Sequence, residues 1–513
     1  MFVKRLINPL LPRSQPWITR QSYAHELVNA LTYPTAIAMV EGGVVGVLAK
    51  KAFDVPPLIF ATIMAAPMFA NLTSFVWAYL ARGKPKVKAI NILQVATLLC
   101  IAAIATLPTT GPGPYLLAGV VVLARCLLAG VVTLRSSVWR MNYPRHIRAQ
   151  VTGRLVLINT IILATAPLLG YAALDYHEHA FRVIYPLSLL VAMIGVAAFA
   201  RVRLRGERDL LRYERSLGAR PQPHGTPAPI YEYDPKAPAT PPPDAPSADA
   251  PSADADDPDS GTAAARIRDP KSGTRNASPN FWQVLKQDHF FRTYMFWQFV
   301  AGSANMCGEV VIIYVIAEAT DGLAFEYVLS ILLAMALPMA IATIALPYWA
   351  RQLDRMHVAA FRAKQGRYWV ANQAGNLVGA MLVATLTGSV WIPLAILFGA
   401  RLIQGVVRGA GMLAWNLGHN DFADRRMVAT YMGIHVTLTG IRGAFAPFLG
   451  MALYAGWNEL TIPSTAIVLW PGFDGIGYWL FAITTALAAA SEVGFRRLHN
   501  SIRATGAAAL PAD

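Results

Sequence analysis

Residues 391–414 read WIPLAILFGARLIQGVVRGAGMLA, a mostly apolar run that is long enough to cross a bilayer. A membrane-spanning helix needs roughly 20 such residues. Arg401 and Arg408 lie seven residues apart in this run, on one face of a 3.6-residue helix. An ionised side chain in mid-membrane is costly, so its presence points to a function or to a buried partner. The run therefore predicts a transmembrane helix whose charged face lies against other protein.

The rest of the chain has the same character. Of the 513 residues, 55% are hydrophobic and only 14% are charged, whereas a soluble domain carries about 25% Asp, Glu, Lys and Arg. This composition excludes a soluble multidomain enzyme and, for most of the chain, intrinsic disorder. Twelve transmembrane spans are predicted, near residues 28–50, 56–80, 88–108, 115–138, 150–173, 183–202, 293–317, 326–348, 368–388, 391–414, 430–455 and 475–495.

Basic residues are divided unevenly between the two sides of these spans. With the N-terminus inside, the four short even-numbered loops hold 17 Lys and Arg, and the opposite loops hold 3. Because cytoplasmic loops carry the excess of Lys and Arg, both termini are predicted to be cytoplasmic, in a multi-pass protein of the inner or plasma membrane. The overall excess, 44 Lys and Arg against 29 Asp and Glu, is expected to face lipid headgroups and not nucleic acid.

One long segment differs from the rest. Residues 203–280 are rich in Pro, Ala, Asp and Ser, a composition that cannot bury enough apolar surface to offset the entropy of ordering. We predict a disordered cytoplasmic linker here. The predicted domains are an N-terminal cytoplasmic segment (1–27), a six-helix bundle (28–202), this linker (203–280), a second six-helix bundle (281–497) and a cytoplasmic tail (498–513).

The two predicted bundles also match each other in sequence. Ala124-Arg125-Cys126-Leu127 in the fourth span aligns with Ala400-Arg401-Leu402-Ile403 in the tenth. Glu41 in the first span aligns with Glu309 in the seventh. Since such matches occur in the same order in equivalent spans, they indicate an internal repeat.

Two homologous six-helix bundles joined by a long linker resemble the major facilitator superfamily. Residues 397–405, LFGARLIQG, are similar to that family's Leu-x-x-x-Arg-x-x-Gln-Gly signature, and Leu353-Asp354-Arg355 resembles the core of its gating loop. The counterpart of this loop, LARGK at 80–84, lacks the Asp. The resemblance implies an all-α transporter in which Asp354 and Arg355 help to close the cytoplasmic side.

The resemblance also implies that the first, fourth, seventh and tenth helices line one central cavity. That arrangement would bring Glu41 and Glu309 together with Arg125 and Arg401. We predict that the two glutamates are proton-coupling sites, because a buried carboxylate gains or loses a proton as an adjacent arginine leaves or returns. The arginines are predicted to neutralise them or to bind an anionic group of the substrate. A structural role in helix packing is an equally open alternative for the arginines.

Further substrate-binding residues are predicted from helical spacing. Gln298, Asn305 and Glu309 are at i, i+7 and i+11 of the seventh span, within one face of a helix. Arg442 belongs to a similar polar stripe in the eleventh span. These side chains are expected to line the cavity.

The sequence lacks the motifs of several other protein classes. It has no Gly-x-x-x-x-Gly-Lys-Ser/Thr phosphate loop, no His-Glu-x-x-His helix, no Cys-x-x-Cys pair and no Gly-x-Ser-x-Gly elbow. We therefore expect neither enzymatic activity nor a cofactor or metal.

These observations together predict a monomeric secondary transporter, driven by protons, for a small organic molecule. Its substrate is either an imported organic anion or an exported amphipathic compound. A passive uniporter is one alternative. The other is a transport-inactive scaffold or sensor of the same fold that uses the 203–280 linker to bind a partner.

Overall fold

The computed structural model of the chain describes residues 12–14, 16–143, 145–219, 281–423, 428–458, 460–461 and 468–505. Expectations for residues 1–11, for the linker at 220–280 and for the tail at 506–513 lie outside the described residues. The described part is almost wholly helical.

Helices of the N-terminal half run up to the first part of the linker. They are α1 (Trp17–Met39), α2 (Gly42–Lys51), α3 (Pro57–Leu72), α4 (Ser74–Leu80), α5 (Lys86–Ala103), α6 (Gly113–Asn142), α7 (Arg145–Tyr171), α8 (Phe181–Phe199) and α9 (Glu207–Ala219).

The C-terminal half is built in the same way, with one short sheet. Its helices are α10 (Phe281–Gln287), α11 (His289–Ala319), α12 (Glu326–Ile331), α13 (Leu337–Leu353), α14 (Val358–Thr385), α15 (Trp391–Leu417), α16 (Val428–Ala455) and α17 (Trp479–Ala504). A π turn (Leu332–Ala336) joins α12 to α13. Strands β1 (Leu460–Thr461) and β2 (Val468–Trp470) pair antiparallel between α16 and α17.

Nine helical segments among the described residues are long and apolar enough to cross a membrane. They are Thr19–Lys51, Lys86–Thr106, Gly113–Asn142, Val151–Tyr171, Phe181–Phe199, His289–Ala319, Glu326–Leu353, Trp391–Asp421 and Tyr431–Ala455. The three other predicted spans coincide with α3 and α4, which are separated at Thr73, and with the more polar helices α14 and α17. The count of twelve spans and the cytoplasmic position of the termini stay predictions.

The first predicted span, 28–50, is not one continuous helix. It begins earlier, at Trp17, and is interrupted after Met39; α2 then starts at Gly42. Glu41 occupies the break in an extended conformation, with φ −66° and ψ 137°. The glycine pair that follows lets α2 approach the other half closely, because a Cβ on Gly43 would lie 3.0 Å from the Cβ of Met335.

The two halves meet tightly at one face of the molecule, which we call the closed face and define by residues 51–56, 172–180 and 320–325. Lys51 forms ion pairs at 3.2 Å with Asp321 and with Glu326. Asp175 accepts a hydrogen bond of 2.8 Å from the backbone N–H of Tyr327. The largest buried apolar cluster lies behind these contacts and includes residues of both halves. The opposite face, which carries the turn at 80–86 and α9, is called the linker face.

Candidate functional site

The break in the first span exposes a backbone carbonyl to an arginine of α6. Arg125 donates to the carbonyl oxygen of Val40 from Nε at 3.0 Å and from Nη2 at 2.6 Å. The same Nη2 lies 2.8 Å from Oε2 of Glu41. Arg125 is buried, whereas the side chain of Glu41 is 30% exposed. A break in a helix leaves backbone polar groups unpaired in a membrane. Here Arg125 donates both to the freed carbonyl of Val40 and to the carboxylate of Glu41.

A second pair occupies the equivalent place in the other half. Arg401 donates to Glu309 through Nη1 at 3.0 Å and Nη2 at 2.8 Å. It also donates to the carbonyl oxygens of Leu333 and Ala334 in the π turn. Gln404 adds a hydrogen bond of 3.0 Å to Glu309. The structure thus brings together each predicted glutamate with the predicted arginine of its own half.

The two pairs line different cavities. Glu309 lies on the wall of a cavity of about 450 Å³. Glu41 and Arg125 line a smaller one of about 320 Å³ within the N-terminal half. The sequence predicts one chamber around all four charges, whereas the described residues place Glu309 on one cavity and Glu41 with Arg125 on another. Arg408 lines the larger cavity with Glu309 and is near enough to both Glu41 and Glu309 to interact with them electrostatically.

The larger cavity contains the other predicted substrate-binding residues. Gln298 and Asn305 reach it from α11, and Arg442 reaches it from α16. Arg442 donates a 2.7 Å hydrogen bond to the carbonyl oxygen of Gln298. Gly302 makes room for this guanidinium, since a Cβ there would lie 2.0 Å from Nη1 of Arg442.

The cavity also has a wall that is apolar and aromatic. Its methionines come from both halves of the molecule: Met64 and Met68 from α3, and Met306 and Met412 from the C-terminal helices. Two tryptophans, Trp369 and Trp415, lie among the lining residues. The cavity is therefore formed at the interface between the halves.

One arginine of this cavity is missed when basic residues are assigned to loops. Counting loop charges places Arg362 outside the membrane, whereas it belongs to a helix and lines the cavity. Arg362 lies in the second turn of α14 and is only 8% exposed. The spacing of Arg408 from Arg401 is the sequence signal that places both on one face.

The predicted gating residues lie at the end of α13. Asp354 and Arg355 are both exposed, and neither has an ion pair with another residue in the described ranges. Their gating role stays a prediction.

The equivalent turn of the N-terminal half, which lacks an Asp, receives a carboxylate from the linker. Glu214 of α9 lies 2.6 Å from Nζ of Lys86 and accepts a hydrogen bond of 2.7 Å from the backbone N–H of Gly83. Lys86 is almost fully buried. The first part of the linker is thus bound to the helical bundle at this turn.

A buried carboxylate, Glu26, lies in the segment that the sequence places outside the bundle. Its oxygens accept hydrogen bonds from Trp139 Nε1 at 2.6 Å and from the hydroxyl of Tyr143 at 2.7 Å. Arg135 lies at 4.0 Å. Glu26 lines the smaller cavity together with Glu41.

Comparison with known proteins shows the family of this chain. The sequence profile of the Major Facilitator Superfamily matches residues 29–365, more than half of the chain. No curated protein sequence matches significantly.

Several solved structures superpose on nearly the whole chain. A mutant of the nucleoside transporter NupG does so with a TM-score of 0.59 at 8% identity, over 93% of this chain and 99% of that chain. A bacterial homologue of the human lysosomal transporter Spinster, in an inward-facing and unoccupied conformation, gives 0.54 at 12% identity, over 97% and 100%. A D-xylose–proton symporter gives 0.53 at 12% identity, over 93% and 97%. Identities this low show the fold alone, and the family follows from the sequence profile: the chain belongs to the Major Facilitator Superfamily of membrane transporters.

Proposed function

We propose that this protein is a proton-coupled secondary transporter that moves a small organic solute by alternating access. Rocking of two bundles about a site between them is how such folds transport. The larger cavity lies at the interface of the halves, and the contacts around Lys51 seal the closed face. Arg362 near the start of α14 and Trp415 near the end of α15 put the cavity in the half of the molecule next to the linker face.

The Glu309–Arg401 pair carries the proposal. Its arginine is fully buried, while the carboxylate is 22% exposed on the cavity side. A carboxylate paired with Arg stays ionised, and it takes up a proton when the arginine is drawn away. Glu41 and Arg125 repeat the arrangement in the other half.

The remaining residues have supporting roles in the proposal. Gln298, Asn305 and Arg442 form the substrate-binding set of the larger cavity. Arg125 and Arg401 neutralise Glu41 and Glu309, the first of the two roles predicted for them, because each is bound to its glutamate. Asp354 and Arg355 form part of the gate on the linker face. The protein acts as a monomer in the inner or plasma membrane and uses no cofactor.

Proteoliposomes with an internal pH dye test this function. Organic anions, sugars and cationic drugs are added under an imposed pH gradient, and substrate-evoked proton flux is recorded for the wild type, Glu41→Gln and Glu309→Gln. Glu178→Gln is the matched control, because Glu178 is exposed on the closed face. We expect both cavity variants to lose the proton signal and the control to keep it.

Two other results would contradict the proposal. Flux of a labelled solute without a proton signal would make the protein a passive uniporter. The transport-inactive scaffold or sensor would be favoured if the protein's cellular function survives both glutamine substitutions but is abolished by deletion of residues 221–278.

A further inference from the structure

The larger cavity is strongly cationic. Arg362, Arg408 and Arg442 line it, and none of them forms an ion pair with a carboxylate in the part of the chain that the structure describes. Arg362 and Arg442 lie close enough to interact electrostatically with each other. Three like charges around one cavity repel each other in a medium of low dielectric constant.

Some donors of these arginines are also unused. Nε of Arg442 and Nη2 of Arg362 are buried and have no acceptor among the described residues. The residues themselves are only 6% and 8% exposed. A buried charged donor without an acceptor is costly, so such a group is normally satisfied by a partner.

The neighbouring carboxylates are already engaged. Glu309 is held by Arg401 and Gln404. Glu492, which lies beyond Arg362, is paired with Arg496 and Arg367. His435 faces Arg362 and Arg442 and adds no negative charge. Among the described residues, these carboxylates are therefore not free to complete the site, which leaves room for an anionic ligand.

The rest of the wall determines what else the ligand carries. Next to the arginines lie the four methionines and the two tryptophans of the cavity. Methionine adapts to irregular apolar shapes, and Trp stacks on flat apolar groups. A small, fully hydrated anion would leave this surface unused.

We propose that the cavity binds an amphipathic organic anion. Its acidic group lies between Arg362 and Arg442 within reach of Arg408, and its apolar body packs on the methionines and tryptophans. This inference rests on the proposed transport function and names the substrate class for it.

Binding to the purified full-length protein tests the substrate class without requiring transport. The probe is tritiated 1-naphthoate at about 1 mM, a concentration that detects weak ligands, in a scintillation proximity assay. Unlabelled 1-naphthylmethanol and 1-naphthylmethylammonium are its neutral and cationic analogues. We expect unlabelled 1-naphthoate to displace the probe at a concentration at least about 10-fold lower than either analogue requires.

Substitutions locate the site. We expect Arg442→Gln and Arg362→Gln each to weaken binding about 30-fold, and Arg442→Lys to retain part of the affinity. Arg503→Gln, at an exposed position near the end of α17, is the matched control. Each variant is accepted only if it elutes as a single species and melts cooperatively. The comparison of 1-naphthoate with its two analogues on the wild type needs no variant at all.

Three results overturn the inference: no binding of 1-naphthoate, equal or stronger competition by the alcohol or the ammonium compound, or binding that survives all the arginine substitutions. A neutral or cationic solute that is bound and transported leaves the proposed function standing and removes only the substrate class. A bound anion that is never transported removes the proposed function and leaves the binding site.

Discussion

Arg401 holds the carboxylate of Glu309 by two parallel hydrogen bonds, from Nη1 at 3.0 Å and from Nη2 at 2.8 Å. Its other contacts are backbone carbonyls of the π turn between α12 and α13. Two-point pairs of this kind are among the strongest polar contacts in proteins. Arg401, which belongs to α15, therefore connects that helix to α11 and to the π turn. Glu309 makes no contact with the π turn among those described, and it is the member of the pair that lines the cavity.

This asymmetry predicts different stabilities for the two partners' variants. Arg401→Gln removes the guanidinium from two backbone carbonyls and leaves Glu309 with Gln404 as its remaining described donor, and removal of one member of a buried pair costs about 3–5 kcal/mol. Glu309→Gln keeps an oxygen that accepts from Arg401, so we expect it to be destabilised by a smaller amount. The measurement is the thermal midpoint of the protein in detergent, with the exposed Arg182→Gln as the control. Equal midpoints for the two cavity variants would contradict the structural role of Arg401.

A second prediction concerns Gly302. Alanine at this position would put a Cβ 2.0 Å from Nη1 of Arg442, so the guanidinium has to move and loses its hydrogen bond to the carbonyl oxygen of Gln298. We expect substrate affinity to fall at least about 10-fold.

Gly399→Ala is the matched control for this change, because a Cβ on Gly399 would meet nothing within 4 Å. Both substitutions favour the helix by a similar amount, about 1 kcal/mol, so only the steric effect differs. The comparison is made on equilibrium binding of the transported solute. Wild-type affinity in Gly302→Ala would show that the position of Arg442 does not matter for binding.

The sequence predicts most of the membrane helices, the repeat and the presence of two glutamates and two arginines inside the bundles from local patterns. Apolar runs of about 20 residues are recognisable without tertiary information. The repeat matches Glu41 with Glu309 and Arg125 with Arg401, but it does not predict that each glutamate binds the arginine of its own half, because that depends on tertiary contacts. The family assignment is confirmed by the sequence profile over residues 29–365.

Features that depend on tertiary contacts are not predictable in this way. The break at Glu41 forms because an arginine 84 residues away binds the freed groups. Arg362 looks like a loop charge in the sequence because its neighbours Lys364 and Arg367 are basic, although it is buried in a cavity wall. Glu26 precedes the strongest apolar stretch of its helix, and its partners come from α6 and the residue that follows it.

The contact of Glu214 with the turn at 83–86 leads to a third prediction. Glu214→Gln removes the ion pair with Lys86, which stays buried with only the carbonyl of Ala81 as a described partner. We expect a loss of about 2 kcal/mol in unfolding free energy, below the value for a fully buried pair. The amides of α9 should then exchange faster with deuterium.

Two variants check the origin of this effect. Asp209→Asn removes an ion pair on the same helix whose two side chains are both 82% exposed. It should therefore change neither the unfolding free energy nor the deuterium exchange of α9. Lys86→Met combined with Glu214→Gln should recover part of the lost stability, because no unpaired charge remains. If Glu214→Gln leaves deuterium exchange in α9 unchanged, the ion pair does not hold the helix on the bundle.

The last prediction concerns the closed face, where Lys51 bridges the halves. Its side chain is 2% exposed and contacts Asp321 and Glu326 of the other half at 3.2 Å each. These contacts form only when this face is closed, so Lys51→Gln destabilises the closed conformation alone. The population should therefore shift toward conformations that are open on this face. A loss of about 1 kcal/mol corresponds to a roughly fivefold change in the ratio of the two populations.

Spin labels at the exposed positions 178 and 324, one in each half, report this change as a longer and broader distance distribution in electron–electron resonance. Asp54→Asn is the control, because the pair of Asp54 with Lys50 lies within one half and Asp54 is 90% exposed. The Lys51 distribution should differ from the wild type while the Asp54 distribution does not. Identical distributions for the wild type and Lys51→Gln would mean that the ion pairs of Lys51 do not keep this face shut, and that the buried apolar cluster and the contact of Lys50 with Glu318 hold it instead.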